Sequence, residues 1–337
     1  MKAIVVDKNY GSLHEEDYKV IQESYEKAGI QFEMKDLKTD DEIVESCQDA
    51  DVLLCTGNPP ITGKVFRECK NLKLVQRFGI GVNSVDLDAA TETGKVAMFM
   101  PGFCVNELAA HATSFIMALN RNTAYYDRKI RQGEWPKGQY YPPRDMSKLV
   151  LGLYGFGGSA KPLYHIFHFG FGTKVITCDP YVPEEIRKQY DVEFVTFDEM
   201  LEQSDIISIH APLNDETRHI FNKDAFRKMK KDSMIINVAR GPLIDQEALV
   251  WALKNEEIRF AGLDVFETEP LAADSELRKM DNVMLSCHSA FYGVGSKKRQ
   301  IELAIELVER ALLEKKINSR YVANRAVTKI NKEFQFD

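Results

Sequence analysis

Residues 149–180 read LVLGLYGFGGSAKPLYHIFHFGFGTKVITCDP, and no other stretch constrains the fold as tightly. The apolar run 149–154 predicts a buried strand. It breaks into Gly155, Gly157 and Gly158, passes through a helix-like segment, and leads to a second apolar run that ends at Asp179. A dinucleotide site needs this layout for physical reasons. Gly155 permits the tight strand-to-helix turn, Gly157 lets the backbone approach a pyrophosphate, and the small Ala160 lets helix and strand pack closely. Unpaired N–H groups at the helix N-terminus favour phosphates. Asp179, about 20 residues on, is placed to accept the ribose hydroxyls of an adenosine. Its carboxylate would repel a 2′-phosphate and no Arg follows it directly, so NAD is expected over NADP. Pro162 falls near the helix start, where its missing N–H costs little. An ordinary glycine turn is the alternative, and the strand–helix–strand context weighs against it.

With 337 residues the chain is long for one core, so two domains are expected. A formal charge of −7 offers no electrostatic footprint for nucleic acid, and an anionic cofactor must be held by local N–H groups and a few cations. The sequence opens on a strand-like MKAIVVD and contains no apolar run of membrane length. A cytoplasmic protein without a membrane partner is therefore expected. Cys47, Cys55, Cys69, Cys104, Cys178 and Cys287 form no CxxC pair and no zinc-like spacing with His. Reduced thiols and no metal are the expectation.

Strand-like and amphipathic runs alternate from the start. AIVV, residues 18–28, VLLC, residues 64–69 and LKLVQ predict a small parallel α/β unit. After Pro101–Gly102 a long helix is predicted over residues 105–120, followed by a helix and exposed loop over 121–148. The alternation then resumes, with TKVITCD, DIISIHAP, SMIINVARG, RFAGLDVF and NVMLSC as strands and a final helix over 296–316. The fold class is α/β, with two Rossmann-like parallel-sheet domains. The domain 101–290 would bind NAD and be inserted into a discontinuous substrate domain made of 1–100 and 291–337. Two crossings between lobes would make a hinge and a cleft, with ligands outside the carboxyl ends of the strands.

Charged residues gather where those strands should end. Arg240 lies just beyond IINVA, Asp264 ends AGLD, Glu269 follows in VFETEP, and His288 follows VMLSC. An Arg, a Glu and a His converging there would suit carbonyl reduction. Arg240 would hold a carboxylate with its planar fork and polarise the keto oxygen. His288 would exchange a proton with that oxygen, and Glu269 would orient and favour the protonated imidazole. A surface Arg–Glu pair and a satisfied core His remain the alternative.

The chain resembles the D-isomer-specific 2-hydroxyacid dehydrogenases from about residue 50 through 325. The motifs that carry the resemblance are RFGIGVNSVDLDAAT, PGFCVNELAAHA, LGLYGFGG with Asp179, SIHAPLNDETRHIFN, INVARGPLIDQEAL, AGLDVFETEP and the His288 segment. The resemblance implies that Arg240, Glu269 and His288 are catalytic, and that NAD is the cofactor for a small 2-ketoacid or 2-hydroxyacid. It implies cofactor contacts from Gly155, Gly157, Gly158, Ser159, Asp179, His210, Ala211, Pro212, Thr217, Val238, Ala239, Arg240, Asp264 and His288. It places the substrate carboxylate on Gly79, Ile80 and Gly81, and it implies a homodimer formed through residues 105–131. His111 is expected to pack between helices, and His165 and His168 to be packing residues.

The chain departs from that pattern in places. Gly158-Ser159-Ala160 stands where the family usually has Arg-Ile-Gly, which removes a cation near the phosphates and loosens the loop, while Ser159 keeps a hydroxyl for phosphate or for capping. Asn83-Ser84 replaces the usual Asp-Asn, and Ser286-Cys287 replaces Thr-Pro. Cys287 is expected to be a buried strand residue facing away from the cleft, with a reactive thiol beside His288 as the alternative. The loop CTGNPPIT carries no Arg or Lys before Lys64, which favours a ketoacid with a small, uncharged side chain. An NAD(H)-sensing dimeric interaction protein similar to co-repressors of this fold, and a same-fold dehydrogenase of another substrate such as phosphite, are the competing readings.

Overall fold

Short runs of buried aliphatic residues set the sheets. In the computed structural model, which describes residues 1–8 and 13–337, the chain divides into two compact units, residues 1–103 with 292–337 and residues 104–291. The first unit holds five parallel strands: β1 (Lys2–Val5), β2 (Gln31–Met34), β3 (Val52–Cys55), β4 (Leu74–Arg77) and β5 (Val96–Met98), in the order β2-β1-β3-β4-β5. Every residue of β3 is buried, as a central parallel strand covered on both faces requires. Strand β2 is the edge, and its QFEM alternates exposed and half-buried positions. That polar alternation hid it from the sequence reading.

The helices Asp40–Ser46 and Leu87–Glu92 were also missed, being too short to show a period. Each is instead marked by a cap: Thr39 Oγ1 accepts from the Glu42 N–H and Asp86 Oδ1 from the Ala89 N–H. The C-terminal segment joins this unit through specific bonds. The Tyr25 hydroxyl donates to the Ala304 carbonyl at 2.7 Å, and the Ala97 N–H donates to Asn324 Oδ1 at 2.9 Å. The last long helix, expected over 296–316, runs over Val294–Glu309 and then widens into a π turn, Arg310–Glu314.

The second unit is a seven-stranded parallel sheet. Its strands are β6 (Val150–Tyr154), β7 (Lys174–Cys178), β8 (Glu193–Phe194), β9 (Ile206–Ile209), β10 (Met234–Asn237), β11 (Phe260–Leu263) and β12 (Val283–Leu285). They lie in the order β12-β11-β10-β9-β6-β7-β8. The chain runs outward from β6 through β7 and β8, then returns to β9 and runs outward the other way. The β6/β9 junction is therefore the topological switch point, and ligands in such sheets bind outside the carboxyl ends there. The helix Val105–Asn120 packs Ala109, Ala112, Phe115 and Ile116 on one face of the sheet. Gly262 makes this possible, since a Cβ at 262 would lie 2.9 Å from the Cβ of Phe115. Among the described residues no helix is long and apolar enough to cross a membrane.

Candidate active site

The glycine loop sits at the switch point. Gly155 has φ +91°, and a Cβ there would lie 2.9 Å from the backbone N of Ala211, so only glycine lets β6 turn against the end of β9. A Cβ on Gly157 would meet nothing within 4 Å, which leaves its backbone open to an approaching group. The Cβ position of Gly158 is 3.1 Å from Val105 Cγ1, so the missing side chain lets the helix Val105–Asn120 close on the loop. Ala160 is fully buried at the start of the following helix.

Asp179 follows β7, where Oδ2 accepts from the Phe156 N–H at 2.8 Å and Oδ1 from the Tyr181 N–H at 3.0 Å. A carboxylate locked at a strand end keeps lone pairs for a diol. An open glycine backbone beside that carboxylate fits a dinucleotide with an unphosphorylated ribose.

Ser159 does not cap its helix. Its hydroxyl pairs with His210 Nδ1 at 3.0 Å, while Ser208 Oγ lies 2.9 Å from His210 Nε2. Desolvation pushes the imidazole down to about 4, so the ring is neutral near pH 7. Thr217 Oγ1 donates to the Pro212 carbonyl and accepts from the Asn214 N–H, which stitches the loop after β9. Pro212 itself is exposed and Ala211 half-buried.

Arg240, Glu269 and His288 converge beyond the carboxyl ends of β10, β11 and β12. Buried Asn237 ends β10 and shapes the turn, accepting from the Ala239 N–H at 3.0 Å and donating to the Arg240 carbonyl at 2.8 Å. Gly241 brings this turn onto the next loop: a Cβ at 241 would fall 1.9 Å from the carbonyl of Phe266. Glu269 Oε1 accepts from the Phe266 N–H at 3.0 Å, and its Oε2 lies 2.7 Å from His288 Nδ1. Burial by itself would raise the Glu269 carboxyl. The His288 hydrogen bond and charge, the Phe266 N–H and the nearby Arg240 charge outweigh it and hold the group below the ordinary carboxylate range. Arg240 Nη1 donates to the Ala239 carbonyl at 2.6 Å. Val238 is buried and Ala239 half-buried beside it.

His288 has φ +52°, the left-handed region that few non-glycine residues adopt. Asp264, 1% exposed, holds it there. The Asp264 carbonyl accepts from the His288 N–H at 2.7 Å, and its carboxylate accepts from the N–H groups of Ser289 and Ala290 and from the Ser286 hydroxyl. The Asp264 carboxylate, just past the end of β11, is thus engaged by the loop that carries His288. Cys287 is neither buried nor in a strand: β12 ends at Leu285, and Cys287 is exposed in the bend before His288. The bend at Cys287 and His288 leaves it exposed.

In the first unit, Gly79 has φ +156° and its N–H donates to the Arg77 carbonyl at 2.9 Å. Ile80 and Gly81 are half-buried. Arg77, which sequence reasoning passed over as the end of a strand, folds back over this turn: a Cβ at Gly79 would overlap its guanidinium, and one at Gly57 would lie 3.7 Å from its Nη2. A cation therefore stands beside both the glycine turn and the loop after β3. Buried Asp7 holds that loop, accepting from the N–H and hydroxyl of Thr56 at 2.7 Å each. The signal for Arg77 was its place two residues before Gly79. The roles of Ser286 and Asn237 had no comparable sequence signal.

Residues 113–290 match the family model described as D-isomer specific 2-hydroxyacid dehydrogenase, NAD binding domain. The chain is 33% identical over 268 residues to a glyoxylate reductase of Korarchaeum cryptofilum, covering 78% of this chain and 80% of that protein. It is 32% identical over 313 residues to a D-3-phosphoglycerate dehydrogenase of Methanocaldococcus jannaschii, covering 93% of this chain and 57% of that protein. The crystal structure of a glyoxylate reductase from Paecilomyes thermophila aligns with a TM-score of 0.83 at 26% identity, over 93% of this chain and 95% of that one.

Proposed function

The chain belongs to the D-isomer-specific 2-hydroxyacid dehydrogenase family, and from that premise we propose that it works as a reductase of a small 2-ketoacid, with Arg240, Glu269 and His288 as its catalytic residues. It is an NAD-dependent oxidoreductase. The observation that carries the assignment of the residues is the 2.7 Å pairing of Glu269 with His288 Nδ1 beside the Arg240 charge.

The nicotinamide of bound NADH supplies the hydride. Arg240 presents the only side chain of the three that can hold a carboxylate by two parallel N–H bonds, and it draws charge toward a developing alkoxide. Glu269 takes Nδ1, so Nε2 of His288 is the nitrogen that delivers a proton to the substrate oxygen, and the same atom takes the proton back in the reverse direction. The pyrophosphate is assigned to the backbone of Gly157 and Gly158, open at Gly157, and the adenosine ribose to Asp179. In the first unit, the N–H groups of Ile80 and Gly81 are assigned to the substrate carboxylate, because that of Gly79 is already engaged.

A glyoxylate-sized substrate with an uncharged side chain fits the loop CTGNPPIT. Arg77 favours a second reading, a ketoacid whose side chain ends in a phosphate or carboxylate. NADH oxidation with glyoxylate, pyruvate, hydroxypyruvate and 3-phosphohydroxypyruvate decides between them: the highest kcat/KM is expected on an unphosphorylated acid. A preference for the phosphorylated one would transfer the role to Arg77, and no turnover with any would favour the cofactor-sensing reading. We further propose a cytoplasmic homodimer. Ile130 in the helix Thr123–Arg131, at 48% exposure, and Trp135 shortly after it, at 82%, leave apolar surface for a second copy to cover.

A further inference from the structure

We propose that His111 is a positioning residue for His288, acting through the Ser286 hydroxyl and the buried Asp264 carboxylate. The inference rests on the reading of His288 as the acid–base group. His111 projects from the helix Val105–Asn120, with its ring edge-on to Phe115 at 4.7 Å. Its Nε2 lies 2.9 Å from Ser286 Oγ and 3.6 Å from Asp264 Oδ1. Ser286 Oγ is 2.5 Å from the same Asp264 oxygen.

The proton positions follow from what each group can offer. An ionised carboxylate only accepts, so the single Ser286 proton goes to Asp264. The serine oxygen is then an acceptor toward His111, which fixes His111 as the Nε2–H tautomer. Asp264 is 1% exposed, and a carboxylate taken out of water needs donors or a cation. It has donors from Ser286, Ser289 and Ala290, and an imidazole at 3.6 Å.

The consequence falls on His288. Residues 288, 289 and 290 all donate their backbone N–H groups to Asp264, one to its carbonyl and two to its carboxylate. This clamp holds His288 at φ +52°, a conformation that persists in an L-residue only when its surroundings over-determine it. Cys287, immediately before it, has no ring to restrain the backbone and is exposed. The rigid anchor is the helix, reached through His111 and Ser286. If that anchor is lost, the loop can relax and His288 Nδ1 drifts from Glu269.

The test compares His111→Ala, Ser286→Ala and the double variant with His111→Gln, which keeps an N–H donor, and Ser286→Thr, which keeps the hydroxyl. The readouts are kcat, KM for the ketoacid, and NADH dissociation by fluorescence titration, with melting curves to confirm folding. Each alanine variant should lose about 10- to 10²-fold in kcat, the range for a catalytic group displaced by about an ångström, with NADH binding unchanged. The double variant should be no slower than the worse single variant, since both cut one chain of bonds. Gln and Thr should recover most of the loss. Multiplying losses, losses confined to KM, or no recovery by Gln and Thr would overturn the proposal. His288→Ala, run in parallel, separates the two readings: parent kcat in that variant would remove the acid–base assignment itself.

Discussion

Replacing Gly241 with Ala tests how closely the two loops that carry Arg240 and Glu269 must approach. An added Cβ would lie 1.9 Å from both C and O of Phe266 and 2.6 Å from the N of Glu267. These are backbone atoms, so no rotamer change moves them aside. Reaching an ordinary contact of 3.4 Å requires the loops to part by about 1.5 Å. Arg240 precedes Gly241, and the Phe266 N–H holds Glu269 Oε1, so the displacement passes directly to the two residues proposed as catalytic. A misplacement of about 1 Å costs on the order of 10² in rate. The steric cost to folding is about 1–3 kcal/mol, as for other overpacked sites. That is roughly 2–4 °C of melting temperature per kcal/mol in a domain of this size. Gly241→Ala should therefore fold, bind NADH, melt several degrees lower and lose about 10²-fold in kcat/KM. Steady-state NADH oxidation and thermal melting measure both. A lowered melting temperature with near-parent kcat/KM would refute the reasoning, because the loops would then have parted without disturbing the chemistry.

Arg240→Lys should recover little of the activity lost in Arg240→Ala, since a point charge cannot reproduce two parallel N–H bonds; parent kcat in the Lys variant would remove Arg240 from the mechanism. Glu269→Gln removes the charge 2.7 Å from His288 Nδ1, so the rate of reduction should fall off at lower pH than in the parent, and an unchanged pH–rate profile would sever the pair. His210 is held near 4, below the 6.5 of a free imidazole, so the unfolded chain binds its proton first as pH falls. Its stability contribution is complete above about 6.5 and lost toward 4; the pH dependence of urea melts across that window should flatten in His210→Gln, and an unchanged dependence would contradict the shift. Cys287 is exposed, whereas Cys104 is 2% exposed, so iodoacetamide should label Cys287 far faster, and Cys287→Ser should remove any inactivation it causes. Equal labelling rates by mass spectrometry would contradict that exposure.

Much of the architecture was legible because its signals are local. Parallel strands buried on both faces are continuous apolar runs, so β6, β9, β10 and β11 appear in the sequence without ambiguity. Strand β2 and the two-residue β8 carry polar residues at the sheet edges, where no core demands a pattern. The long helix Val105–Asn120 was legible for its length, and the six-residue Leu87–Glu92 was not. Cys287 was misread because period-two reasoning was carried past Leu285, where the strand had already stopped.

What the sequence determined by itself was the α/β class, the glycine loop with its distant Asp179, and the residue types at the strand ends, since each depends on spacing along one strand–helix–strand stretch. The tertiary structure decided which of those residues meet. Gly241 against Phe266, His111 against Ser286, and Arg77 beside Gly57 join groups whose contact depends on backbones packing to within a few ångströms. Spacing along the chain holds no record of such contacts, because they arise from the register of strands and helices brought together only on folding.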